Sequence, residues 1–115
     1  KQKKNTPQWN RYWGFALVWL LLCGAAYCGL VVAHEVGHQQ IFSSFGVNST
    51  IVYGPFFTSG NTTAISHPPL SNDTIIALNA MQDYNEIVMW QLQVVLTLVL
   101  AGGLLTGWAA MRPMS

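Results

Sequence analysis

Two long runs without a charged residue constrain this chain of 115 residues more than any other feature. Trp13 to Ala33 gives 21 consecutive uncharged residues, and Ile87 to Met111 gives 25. A helix needs about 20 apolar residues to cross a hydrocarbon core of about 30 Å. Both runs are therefore predicted to be transmembrane helices. The fold class that follows is a single all-α membrane domain, residues 1–115, built on an antiparallel helical hairpin.

The composition argues against both a soluble globular domain and a disordered chain. Only 8% of the residues are charged and 51% are hydrophobic, whereas a soluble domain carries roughly 25% charged residues. Disorder would need the opposite balance, with low hydrophobicity and high charge. The net charge of +1 leaves no basic surface for nucleic acid. The first run exceeds the apolar part of a signal peptide and continues into a polar motif, so a cleaved signal is not expected.

The charged residues are sorted along the chain. The basic residues flank the two runs and are Lys1, Lys3, Lys4, Arg11 and Arg112. The acidic residues lie between the runs and are Glu35, Asp73, Asp83 and Glu86. Because basic residues favour the cytoplasmic side of a membrane, both termini are predicted to be cytoplasmic and residues 39–86 extracytoplasmic.

Three Asn-x-Ser/Thr sequons agree with this orientation. They begin at Asn48, Asn61 and Asn72, all inside the predicted extracytoplasmic segment. Such sequons are acceptors for N-glycosylation on surface loops of secreted segments. The three asparagines are therefore candidate glycosylation sites.

The segment between the runs predicts little regular structure. We expect the first helix, with its span at about 12–33, to continue to about 45 and to end at Gly46. A mostly irregular loop, about 46–73, should follow, with Val47 to Tyr53 as a short strand candidate. Ser71, Asn72 and Asp73 are candidate N-caps for a second helix. That helix should run from about 74 to 111, with its span at about 87–111.

The motif that carries chemistry is His34-Glu35-Val36-Gly37-His38, an H-E-x-x-H sequence. Spacing of four residues places both imidazoles on one helical face, where they can bind one Zn²⁺ at about 2.0–2.1 Å. Glu35 stands beside them and can take a proton from a metal-bound water. Bound zinc lowers the pKa of that water to about 7. Zn²⁺ is the predicted cofactor, although another divalent ion stays open.

A zinc site of this kind needs a third protein ligand, and four residues qualify. In an antiparallel hairpin, residues at the outer end of the first span face those at the outer start of the second. His34 follows the first uncharged run and Glu86 precedes the second, so they should lie at the same depth. Glu86 is therefore the favoured third ligand. The other candidates are Asp83, His67 and Asp73.

Residues 33–42, with the sequence Ala-His-Glu-Val-Gly-His-Gln-Gln-Ile-Phe, and then Phe45-Gly46-Val47 resemble the site-2 protease family. Tyr53-Gly54-Pro55-Phe56 is similar to a glycine-containing loop of that family. The resemblance covers about 35 residues and implies an intramembrane zinc metalloprotease, with His34 and His38 as ligands and Glu35 as base. The family takes its third ligand from an Asp-Gly motif, which this chain lacks. Asn85-Glu86 instead resembles the Asn-Glu of gluzincin metallopeptidases, whose Glu binds zinc.

Three functions stay open at this point. The first is a membrane-embedded zinc metallopeptidase acting on membrane or juxtamembrane peptides. The second is a non-catalytic subunit of a larger membrane complex, with a structural or degenerate metal site. The site-2 protease family has at least three spans, and a partner or a segment beyond either end could supply the third. The last is a module that stores or delivers zinc or copper. Glu35 distinguishes them, because a pure binding site does not need it.

Small residues in both runs predict close helix packing. Gly24 and Gly29 lie in the first run, and Gly103 and Gly107 form a G-x-x-x-G sequence in the second. These faces could pack on each other, on another transmembrane subunit or on a second copy.

Two other features of the sequence predict no functional site. Cys23 and Cys28 are turned about 140° apart on a helix and cannot pair with each other. The methionines at 81, 89 and 111 are interpreted as packing residues.

Overall fold

The computed structural model describes residues 9–112. Lys1, Lys3 and Lys4, on which the predicted orientation partly rests, lie outside the described residues. The elements in chain order are α1, Trp9–Ser44; β1, Asn48–Tyr53; a short 3₁₀ helix, Pro55–Phe57; β2, Gly60–Ser66; and α2, Asn72–Met111. The two helices lie antiparallel and the two strands lie beside the last turns of α1. The predicted helical hairpin is confirmed.

Both helices are long and apolar enough to cross a membrane. With 36 and 40 residues, they are about 54 and 60 Å long at 1.5 Å per residue. Each is therefore nearly twice as long as a hydrocarbon core is thick. The additional turns lie mostly at the end where α1 approaches the strands, and they carry the polar residues of the hairpin.

Helix α1 ends in a Schellman motif built on glycine. The Gly46 amide donates to the Ser43 carbonyl at 3.0 Å, and the Val47 amide donates to the Phe42 carbonyl at 2.9 Å. Gly46 has a φ of 74°, which a residue without a Cβ adopts at little cost. The cap reverses the chain, so that the strand after it runs back along α1.

Helix α2 begins two residues before its predicted start. Ser71 is the N-cap, and its hydroxyl accepts a hydrogen bond from the Thr74 amide at 3.2 Å. Asp73 lies in the first turn, where a carboxylate interacts favourably with the helix dipole. Ser71 was one of three candidate caps, and the earliest of them is the one used.

The segment between the helices contains a two-stranded antiparallel sheet, so the all-α class is incomplete. Strand β1 coincides with the strand candidate, and it pairs with β2 from Asn48 opposite Ser66 to Tyr53 opposite Gly60. The sequence did not predict β2, because the Gly60-Asn61 pair at its start is typical of turns and the following residues are mostly polar. Pairing with β1 satisfies the backbone groups of these residues, which a polar sequence permits as well as an apolar one.

The helices pack through aromatic side chains of α1 that lie on glycines of α2. Gly103 lies under the Trp19 indole and Gly107 lies under the Phe15 ring. The Trp19 Nε1–H donates to the Leu100 carbonyl at 3.1 Å. The Tyr12 hydroxyl donates in the same way to the Leu104 carbonyl at 3.2 Å. These contacts fix the register of the pair at the end far from the sheet.

Gly24 and Gly29, the small residues of the first run, make no such close contact within the described part of the chain. A Cβ added at Gly24 or Gly29 would meet no other atom within 4 Å. Cys23 is buried between the helices and Cys28 is half-buried, and both are free thiols. Met89 is buried in the helix interface, while Met81 is exposed.

Adding one methyl group at Gly103 should separate the helices. The new Cβ would overlap the Trp19 indole, and overpacking of this kind costs about 1–3 kcal/mol. We expect Gly103→Ala to lower the free energy of unfolding by that amount, measured by tryptophan fluorescence in mixed micelles. Gly102→Ala is the matched control, because its Cβ would meet nothing within 4 Å. Equal stability of the two variants would contradict this packing.

Candidate metal centre

The antiparallel helices bring the H-E-x-x-H turn of α1 opposite residues 82–86 of α2. Three possible ligand atoms converge there. His34 Nε2 lies 2.9 Å from His38 Nε2 and 2.9 Å from Glu86 Oε1. His38 Nε2 lies 2.6 Å from the same Glu86 oxygen. We call these three residues the His–Glu cluster; it is a grouping that could hold a metal ion.

The chemistry of these three atoms fits a zinc ion. Two imidazole nitrogens and one carboxylate oxygen are the donor set of catalytic zinc sites, which keep a fourth position open for water or substrate. Unprotonated, all three atoms carry lone pairs, so they can face each other at these distances only around a shared proton or a cation. The His34 and His38 side chains are 15% and 13% exposed, whereas Glu86 is 59% exposed. The open side of the cluster is therefore at Glu86.

Two opposing effects act on the Glu86 carboxyl, which precedes the second uncharged run. Partial burial raises its pKa. Hydrogen bonds with His38 and His34, together with the electrostatic attraction between these histidines and the carboxylate, lower it by more, so the pKa of Glu86 is below its usual value. The carboxyl is thus held in the ionised form that binds a cation.

Both histidines have a neighbouring oxygen beside their other ring nitrogen, and for His38 it is a hydrogen-bond partner. His38 Nδ1 is hydrogen-bonded to Gln82 Oε1, and the Gln82 amide also donates to the His38 carbonyl at 3.3 Å. His34 Nδ1 lies 3.3 Å from Glu35 Oε1. Outer partners of this kind orient the ring of a metal-binding histidine and fix its tautomer. In the sequence, Gln82 is apparent only as one of several polar residues that recur every three or four positions before the second uncharged run, with Asn79, Asp83 and Glu86.

A close approach of the two helices holds the cluster together. The Asn85 amide donates to the His34 carbonyl at 3.0 Å. Gly37 lies directly beneath Asn85, and a Cβ on Gly37 would lie 2.8 Å from Asn85 Oδ1. The glycine in the middle of the H-E-x-x-H turn is therefore needed for the contact between α1 and α2 here.

Glu35 is the buried acid of the site, with only 4% of its surface exposed. Its Oε2 is hydrogen-bonded by the Thr62 hydroxyl of β2. Gly60 packs against the Glu35 side chain so closely that a Cβ on Gly60 would lie 2.6 Å from Glu35 Cγ. No sequence pattern indicates Thr62 or Gly60, because their role depends on how the sheet packs on α1.

A cavity of about 330 Å³ joins these parts. It is lined by the His–Glu cluster and by Glu35 on the helix side. From the sheet it is lined by Gly60, Asn61 and Thr62. The candidate metal ligands, the acid and a space for a ligand are thus adjacent, with the sheet forming one wall.

The structure leaves the other candidate ligands outside the cluster. Asp83 is exposed on α2, and Asp73 is exposed in its first turn. His67 is exposed in the loop before α2, where its Nδ1 donates to the Pro68 carbonyl at 2.8 Å. The asparagines of the three sequons, Asn48, Asn61 and Asn72, are all exposed.

Comparison with known proteins does not assign the chain to a family. No family model matches the chain, and no curated protein or solved structure shows a significant similarity to it.

Removing either kind of ligand should abolish metal binding. We expect the detergent-purified chain to bind one zinc ion, and His38→Ala and Glu86→Ala to bind none, measured by mass spectrometry of the metal content. Asp83→Ala is the matched control for Glu86, since it removes an exposed carboxylate one turn away. His67→Ala is the control for His38. Zinc retained in Glu86→Ala and lost in Asp83→Ala or His67→Ala would show that the third ligand is misplaced.

Proposed function

We propose that this chain is a membrane-embedded zinc metallopeptidase that acts on membrane or juxtamembrane peptides. The observation that carries the proposal is the convergence of His34, His38 and Glu86 on one point, with Glu35 in the wall of the same cavity. The resemblance of residues 33–42 to the site-2 protease family supports it. The Asn85-Glu86 pair supports the gluzincin type of third ligand.

The proposed location rests on the two long apolar helices. Side chains along both uncharged runs are widely exposed, among them Leu21 at 66%, Leu98 at 67% and Leu105 at 66%. Such surface is stable in lipid and unfavourable in water. We infer that α1 and α2 span the bilayer with both termini on the cytoplasmic side. The His–Glu cluster then lies near the outer boundary, where Glu86 meets water.

The cluster and Glu35 have different roles in the proposed hydrolysis. Zinc bound by the cluster would polarise a scissile carbonyl and make water more acidic. Glu35 is the general base, because its carboxylate adjoins the cavity and its position is held by Thr62. Transfer of a proton to a positioned carboxylate contributes typically 10²–10⁴-fold to the rate.

A second candidate function is a non-catalytic subunit of a membrane complex. One observation favours it: Gly24 lies on an exposed face of α1, where an added Cβ would meet no atom of the described chain within 4 Å. Small-residue faces in membranes allow another helix to approach closely. A partner helix or a second copy could occupy that face, whether or not the site is active.

Replacing Glu35 with Gln should separate catalysis from binding. We expect Glu35→Gln to lower cleavage of a mixed-sequence peptide pool by about 10²–10⁴-fold, followed by mass spectrometry of the products. Zinc content should not change, because Glu35 is not a ligand and the Gln side chain keeps an acceptor oxygen beside His34 Nδ1. Asp83→Asn is the matched control, since it neutralises an exposed acid on α2 and should leave cleavage as it is. Cleavage by Glu35→Gln at the native rate would overturn the peptidase proposal. So would a native chain that holds zinc and cleaves nothing.

The orientation in the membrane predicts modification of the sequons. We expect translation into endoplasmic-reticulum microsomes to add glycans at one or more of Asn48, Asn61 and Asn72, seen as mass shifts removed by an endoglycosidase. The triple Asn→Gln variant should show no shift. An engineered sequon appended after the C-terminus is the opposite control and should stay unmodified. Modification there, and not at the native sites, would reverse the orientation.

A further inference from the structure

A histidine can bind a metal through only one ring nitrogen when the other carries a hydrogen, so the partner of the second nitrogen decides which one is available. His38 presents Nε2 to His34 and Glu86, at 2.9 and 2.6 Å. Its Nδ1 faces away from the cluster, toward the amide of Gln82 on the opposite helix. The orientation of the His38 ring therefore depends on a residue of α2.

The second hydrogen bond of Gln82 fixes the direction of its amide. A backbone carbonyl can only accept, so the group 3.3 Å from the His38 carbonyl must be the Gln82 NH₂. The amide oxygen is then the atom at His38 Nδ1. Because that oxygen can only accept, Nδ1 must carry the hydrogen. In the neutral ring, Nε2 then has the lone pair that a metal needs, and a metal bound there would replace any proton that Nε2 shares with Glu86.

We propose that Gln82 is the positioning residue of the metal centre, which holds His38 in the tautomer that binds zinc through Nε2. This rests on the proposed zinc site and adds a residue to it. Gln82 lies one turn before Glu86, and residues four apart share a helix face. One face of α2 therefore carries both Glu86, a proposed ligand, and Gln82, the group that orients the proposed ligand His38.

The other ring nitrogen of His34 has a different neighbour. Its Nδ1 lies 3.3 Å from Glu35 Oε1, within α1 itself. Loss of Gln82 should accordingly disturb one histidine and leave the other in place. Asn85 provides a natural comparison, because it also donates to an α1 carbonyl, that of His34, but is bonded to neither imidazole.

Two substitutions separate orientation of the ring from attachment of the helices. Gln82→Met keeps the approximate shape and loses both hydrogen bonds. Gln82→Glu keeps an acceptor for His38 Nδ1 and loses the donor to the His38 carbonyl. Zinc affinity would be measured for the full chain in detergent micelles by competition with a chromophoric chelator. Asn85→Ala is the control that removes a helix attachment alone.

We expect Gln82→Met to weaken zinc binding by about 10–100-fold, the usual effect of losing an outer partner. Gln82→Glu should restore it to within about 3-fold of the unmodified chain, because it keeps the acceptor that orients the ring. Asn85→Ala should fall closer to the unmodified chain than Gln82→Met does. Equal losses in Gln82→Met and Gln82→Glu would mean that only the helix attachment matters, and would overturn the proposal.

Nuclear magnetic resonance of the zinc-loaded, unmodified chain gives an independent result that needs no variant to fold. With ¹⁵N- and ¹³C-labelled histidine, His38 should bind zinc through Nε2 and retain a hydrogen on Nδ1. Binding through Nδ1 would overturn the role of Gln82 while leaving the zinc site intact. An unmodified chain that takes up no zinc would overturn the metal site itself, and the role of Gln82 with it.

Discussion

The contact between two imidazoles and one carboxylate, across the two helices, is the interaction on which the rest of the arrangement depends. Three electron-donating atoms lie 2.6–2.9 Å apart, and only a proton or a cation between them makes that favourable. The contact joins α1 to a part of α2 that is distant in the chain. The hydrogen bonds of Trp19 and Tyr12 join the helices at their other end. Together, the two sets of contacts fix which face of α2 lies against α1.

Several glycines lie where a side chain from another element packs directly on the backbone. A Cβ at these positions would overlap that side chain. Gly37 admits Asn85 and Gly60 admits the Glu35 side chain, both at the His–Glu cluster. Gly103 and Gly107 admit aromatic rings of α1 at the far end. Gly24 and Gly29 admit nothing within the described residues. The helices are therefore held close at both ends by contacts that a single methyl group would disturb.

The parts of the fold that depend on local sequence could be predicted, and the parts that depend on register could not. The two helices follow from uncharged runs, and the pair His34 and His38 follows from a spacing of four. Glu86 follows from its depth relative to those runs. Strand β2 and the contacts of Thr62 and Gln82 depend on how distant elements pack. The two small-residue faces look alike in sequence, and only packing distinguishes Gly103 from Gly24.

The sheet supplies a hydrogen-bond donor to Glu35 that the two helices do not provide. A carboxylate that is 4% exposed, as Glu35 is, loses free energy on burial unless its oxygens are paired. Thr62 pairs one oxygen, and His34 Nδ1 lies beside the other. The packing of β2 on α1 thus places a buried, hydrogen-bonded carboxyl group beside a cluster that can hold a cation.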